Sequence, residues 1–121
     1  MLIAFCGLPG TGKTTLAWRL AQRLQATYLR IDTIEDALLA DNGASLVAQG
    51  AGYKVAYAIA EENLKLGRTV IADSVNPIRI TREAWQDVAK RSGVASVNVV
   101  VICSDRAQHQ RRIEARPLET R

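Results

Sequence analysis

Histidine is almost missing from this chain, with His109 the single example in 121 residues, and cysteine is limited to Cys6 and Cys103. A zinc centre needs a cluster of such ligands and a disulfide framework needs several spaced cysteines, so neither organises the protein. Both cysteines fall in apolar runs and read as buried thiols of strands. No apolar run approaches the roughly 20 residues of a membrane span, and no basic leader with a cleavage site follows Met1. The expectation is a cytoplasmic protein without a membrane partner. Repeats, low-complexity tracts and linkers are also lacking, so residues 1–121 are read as one domain.

What is present is a globular composition, 48% hydrophobic and 23% charged. The net charge of +4 comes from twelve Arg and four Lys against twelve acidic residues. A guanidinium excess suits phosphorylated ligands. The charge is spread along the chain without an aromatic-rich basic cluster, which argues against nucleic acid as partner. No Asn-Lys-x-Asp segment follows any strand to select guanine.

The stretch Gly7-Leu8-Pro9-Gly10-Thr11-Gly12-Lys13-Thr14 fits G-x-x-x-x-G-K-[ST] at every fixed position. Its glycines let the backbone wrap phosphates with N–H groups pointing inward, and the helix that follows presents its positive end to the same charge. Lys13 reaches the β and γ phosphates of such a ligand, and the Thr14 hydroxyl is a hard oxygen suited to Mg²⁺. Thr15, the next residue, is counted with the cofactor-binding group.

Leu2 to Cys6 is a short unbroken apolar run, the pattern of a strand buried on both faces of a parallel sheet. From Lys13 the period becomes helical, with Leu16, Ala17, Leu20, Ala21 and Leu24 as one apolar stripe and Arg19, Gln22 and Arg23 opposite. Thr27 to Ile31 reads as a second strand ending at Asp32, followed by a short helix that Asn42-Gly43 closes. Ser45 to Leu66 reads as a longer helix with Tyr53, Ala56, Tyr57, Ala60 and Leu64 on one face. Gly50 and Gly52 weaken its first half. Gly67 caps it, and Thr69 to Asp73 makes a third strand. Ala84, Trp85, Val88 and Ala89 stripe the next helix, which ends at Gly93. Val97 to Cys103 is the fourth strand, and a last helix starts at Asp105, with Gln108 in the capping-box position. Alternating strands and helices predict a doubly wound α/β sheet whose ligands bind outside the carboxyl ends of the strands.

Three sets of polar residues belong to that edge. Asp73 closes an apolar strand, as a carboxylate near Mg²⁺ would, or else it caps the turn at Asn76-Pro77. Asp32 closes the second strand, where it could take the proton of a substrate hydroxyl or serve as the N-cap of the next helix. Arg112 and Arg116, four apart, share a helix face and either close over phosphates or form a solvated basic face.

Gly7 to Thr14, Asp32, the stretch Gly67 to Pro77 with Thr81-Arg82 and Trp85, and Cys103-Ser104-Asp105 through Arg116 together resemble bacterial P-loop kinases. That group includes adenylylsulfate kinase, chloramphenicol phosphotransferase, zeta toxins and the kinase part of polynucleotide kinase, often described loosely as AAA ATPases. The resemblance implies a three-layer αβα P-loop NTPase fold with sheet order 2-3-1-4-5, and ATP and Mg²⁺ as cofactors. It implies Asp32 as the substrate-side base and Arg82 near a small-molecule acceptor, with Asn76 and Arg79 in the same substrate-binding segment. Residues 105–121 correspond to the start of a lid carrying arginine. Such kinases continue to a fifth strand, whereas this sequence stops at Arg121, so the expected order here is 2-3-1-4. Strand four, Val97 to Ile102, then becomes an apolar edge expected to pair two copies. The function expected is ATP-dependent transfer of phosphate to a hydroxyl of a small molecule. The alternative is a nucleotide-binding remnant with ATPase activity or no turnover.

Overall fold

The computed structural model describes residues 1–7, 12–74 and 79–101, with the backbone alone for Arg79 and Ile80. Leu8 to Thr11, Asn76 and the whole 102–121 segment, including Cys103, Asp105, Arg112 and Arg116, lie outside the described residues.

Four short runs rich in β-branched and small apolar residues form the strands β1 (Leu2–Cys6), β2 (Thr27–Arg30), β3 (Val70–Asp73) and β4 (Ser96–Val100). They pair in parallel in the order β2-β3-β1-β4, as the resemblance to P-loop kinases implied. Parallel neighbours need long crossovers, which here are helical: α1 (Lys13–Leu24), α2 (Ile31–Ala40), α3 (Ala44–Ala48), α4 (Ala51–Lys65) and α5 (Arg79–Ser92).

Alternation along the strands divides the core into two layers. Leu2, Ala4, Leu29, Val70 and Ala72 meet Ala56, Ala60 and Leu64 of α4 and Trp85, Val88 and Ala89 of α5. Ile3, Phe5, Ile71, Val99 and Val101 meet Ala17 and Ala21 of α1 on the opposite face. The result is the expected αβα sandwich. Its register is what matters for function, because Asp73 stands level with Phe5 on one side and with Arg30 on the other. The polar ends of β2 and β3 therefore reach the carboxyl edge together, beside the exit of β1.

Several boundaries differ from the sequence reading. The residue 45–66 helix is two helices, because Gly50 adopts φ 83° between them, a left-handed conformation that interrupts α-helical hydrogen bonding. The second strand stops at Arg30 and α2 already begins at Ile31, so Asp32 lies inside the first turn and is not the N-cap. The N-cap is Arg30, with no side-chain cap hydrogen bond. In α1 the sheet-facing line is Lys13, Ala17 and Ala21, while Leu16 and Leu24 are 38% and 48% exposed. Small residues at successive turns let the helix axis approach the sheet, which leaves the larger leucines on its flank or at its fraying end. The described part of the fourth strand ends at Val100, with Val101 buried beyond it.

The predicted helix stop at Gly67 holds: its N–H donates to the Leu64 carbonyl at 3.0 Å and the Arg68 N–H to the Asn63 carbonyl at 3.1 Å. Gly93 ends α5 in the same way, with the Val94 N–H donating to the Ala89 carbonyl at 3.0 Å. Among the described residues no helix is long and apolar enough to cross a membrane.

Close approach of α4 to the sheet depends on Ala56 and Ala60, both fully buried. Ala60→Leu should destabilise the fold by about 1–3 kcal/mol through overpacking. Urea unfolding measures this, and a cost below about 0.5 kcal/mol would place α4 farther from the sheet than described.

Candidate functional site

The site is built where β1 hands the chain to α1. Gly7 leaves β1 so close to the backbone just after β4 that a Cβ there would stand 2.9 Å from the Val101 carbonyl oxygen, which explains why glycine is needed at this point. Gly12 then turns the chain into α1, and Lys13 is the first residue of that helix. Because Lys13 shares the helix stripe of Ala17 and Ala21, its side chain runs along the sheet face and is only 4% exposed. Thr14 is half-buried in the same first turn, and Thr15 points outward.

Asp73 closes β3 and is 1% exposed. Period-two alternation puts it on the same face as Ile71, which is the α1 face. Lys13 and Asp73 therefore meet: Lys13 Nζ donates to Asp73 Oδ1 in a buried ion pair. The second carboxylate oxygen, Oδ2, accepts a hydrogen bond of 2.8 Å from the Tyr28 hydroxyl. Tyr28 pairs with Ile71 in the sheet register, two residues before the Arg30–Asp73 pair, so its phenol extends along the same face toward the carboxyl edge. Each oxygen of a desolvated carboxylate thus has a donor, the condition under which a buried charge is tolerated.

The titration of neighbouring groups reflects this setting. Burial, then the hydrogen bond to Asp73 and its negative charge, push the Tyr28 phenol well above the usual range. Burial raises the Cys6 thiol, opposed by the positive charges of Arg82 and Lys13. Cys6 is thus an inert strand thiol, as expected, and the Arg82 charge is felt at the carboxyl end of β1. Farther along the edge, Arg30 and Asp32 form a 3.6 Å ion pair, and each side chain is more than a third exposed. Asp32 also sits where the first turn of α2 favours negative charge. Glu35, one turn on, is raised by burial and by the charges of Asp32 and Asp36. Among the described residues there is no cluster of three His, Cys, Asp or Glu side chains able to hold a metal by itself.

The residues singled out from sequence are thus distributed unevenly. Lys13 and Asp73 are in contact, Arg82 is close enough to act on Cys6, and Asp32 stands at the same edge but pairs with Arg30. Arg79 is located only as the first residue of α5. Sequence reasoning passed over Tyr28 and Arg30, treating them as strand content. The available signal for Tyr28 is an amphipathic aromatic in a half-buried strand, whose hydroxyl seeks a partner. Finding that partner requires the β2–β3 register.

The profile of a family described as AAA domain matches residues 2–121. A probable adenylyl-sulfate kinase of Aeropyrum pernix is 28% identical, over 86% of this chain and 60% of its own length. Among solved structures, the Mycobacterium tuberculosis APS kinase in complex with AMPPNP and APS superposes with TM-score 0.66 at 23% identity, covering 82% of this chain and 60% of that one. A candidate kinase from Chloroflexus aurantiacus gives TM-score 0.72 at 24% identity, covering 82% of this chain and 56% of that one. The chain thus spans about 60% of the length of the curated relative, and the solved structures establish the fold it shares with P-loop kinases.

Removing one member of the buried pair should be costly. Lys13→Met in the nucleotide-free protein should destabilise by about 3 kcal/mol, since Asp73 keeps a single donor. Lys13→Met with Asp73→Asn should cost at least about 1 kcal/mol less than the sum of the single changes. Urea unfolding of all four proteins decides this, and strict additivity would mean that the pair carries no coupling.

Proposed function

The chain belongs to the AAA domain family, and from that membership and the site just described we propose that it is an ATP-dependent phosphotransferase acting on a hydroxyl of a small molecule. The observation that carries the reading is the buried pair of Asp73 with Lys13, the lysine of the glycine-rich motif. A buried lysine and a buried carboxylate, each paired with the other beside a phosphate-wrapping sequence, form a site whose two charges can be reassigned to a ligand. Lys13 would turn from Asp73 to the β and γ phosphates, while the loop N–H groups from Gly7 to Thr15 hold the rest of the polyphosphate.

Asp73 Oδ1 and the Thr14 hydroxyl are hard oxygen donors, two protein ligands beside phosphate oxygens, which fits Mg²⁺ with its retained waters. Magnesium bound there would supply positive charge against the phosphate oxygens. On the acceptor side, Asp32 would orient the attacking hydroxyl and take its proton, with Arg30 beside it. Asn76, Arg79 and Arg82 would bind the acceptor. Arg112 and Arg116 would neutralise charge from the lid as the phosphoryl group moves. A relative's name and a structure with AMPPNP and APS support ATP as donor, and the acceptor is proposed here only as an alcohol. We also propose that β4, at one end of the described sheet, pairs with the β4 strand of a second copy, as its apolar Val97 to Ile102 run suggests. Light scattering at high concentration should then give a dimer mass, and a monomer mass would remove that pairing.

Asp32→Asn should lower phosphate transfer by at least about a hundredfold, in the range expected for a general base. Its affinity for ATP should stay within twofold. Turnover with a panel of metabolite alcohols, read alongside calorimetric titration with ATP, measures both quantities. Loss of ATP binding in the variant would move Asp32 to the nucleotide side. Binding without transfer to any alcohol by the unmodified protein would favour a nucleotide-binding module without turnover.

A further inference from the structure

We propose that Tyr28 is a positioning residue for Asp73, its hydroxyl holding Oδ2 so that Oδ1 alone faces the phosphate end of the site, whether or not Lys13 is engaged. The inference rests on the nucleotide-site reading above only for its consequence in magnesium binding. A carboxylate can turn about its Cβ–Cγ bond and exchange its oxygens. Here one oxygen is tied at 2.8 Å to a phenol on a neighbouring strand, and the other is tied to the lysine of the glycine loop. The two ties differ in kind. Tyr28 is fixed by the β2–β3 register and by packing of its ring against the second core layer. Lys13 is a flexible cation with a competing use.

When Lys13 turns to phosphate, Asp73 is left as a desolvated charge, and Tyr28 is the donor that remains on it. Without that hydroxyl the carboxylate would swing freely and recapture Lys13, so both the lysine and the metal-side oxygen would be less available. Packing does not require the hydroxyl, since phenylalanine has the same ring.

Two measurements test this with Tyr28→Phe. In urea unfolding of the nucleotide-free protein, Tyr28→Phe should shift the unfolding equilibrium at least tenfold more in a Lys13→Met background than in the unmodified one. Lys13→Gln serves as background if the methionine variant does not fold. An equal or smaller shift overturns the proposal, whatever the protein binds. In calorimetric titration with AMPPNP, the Mg²⁺ concentration for half-maximal tightening should rise at least fivefold in Tyr28→Phe, with metal-free binding in EDTA within twofold. Equal losses with and without Mg²⁺, or an unchanged Mg²⁺ requirement, would show a structural role only and overturn the proposal. Should the unmodified protein not bind AMPPNP at all, the nucleotide reading fails and the unfolding comparison alone decides for Tyr28.

Discussion

A buried lysine facing a buried aspartate is the constraint on which this structure depends. Neither charge could be left alone at 4% and 1% exposure, because a desolvated ion without a partner costs several kcal/mol. That requirement fixes the geometry around it. Lys13 must lie on the sheet-facing line of α1, which makes Ala17 and Ala21 the contact residues and allows the helix to come close. Asp73 must end β3 on the α1 face, which sets the parity of the strand, with Ile71 inward on the same side and Ala72 on the other. The site and the fold are therefore specified by the same alternation of side chains.

The pair also gives Lys13 and Asp73 a definite partner in each other. In an apolar surrounding Lys13 and Asp73 neutralise each other, so the free protein avoids holding a cation and an anion apart in anticipation of ligand. Tyr28 adds a second donor from an independent strand. A ligand carrying both negative oxygens and a divalent cation can satisfy both partners at once, whereas one carrying only negative charge satisfies only the lysine. Under the proposed function, such an arrangement would couple phosphate and metal recognition through a single carboxylate.

Much of this was legible in the sequence. The glycine loop, the alternation of strands and helices and the carboxylate at the end of β3 follow from motif and periodicity, because each is a local pattern, whereas the parallel order was implied by the resemblance to P-loop kinases. What was not legible depends on distance between segments. The ion pair of Lys13 with Asp73 joins residues 60 apart, and the Tyr28 bond joins residues 45 apart, so both need the sheet register. The misplaced N-cap at Asp32 has a different origin. A strand that ends in Arg30 and a helix that starts at Ile31 share no linker, and no turn residue marks the change. Leu16 and Leu24 of the predicted apolar stripe stay exposed because the contact line of α1 is alanine, a matter of side-chain size that the stripe alone does not reveal.

The central claim is that the Lys13–Asp73 pair is the resting form of a nucleotide site. A crystal structure with AMPPNP and Mg²⁺ tests it most directly. The account predicts Lys13 Nζ on the β and γ phosphate oxygens and Asp73 released from it, with the Tyr28 hydroxyl still bound to Asp73. A nucleotide bound with the Lys13–Asp73 pair intact would contradict it.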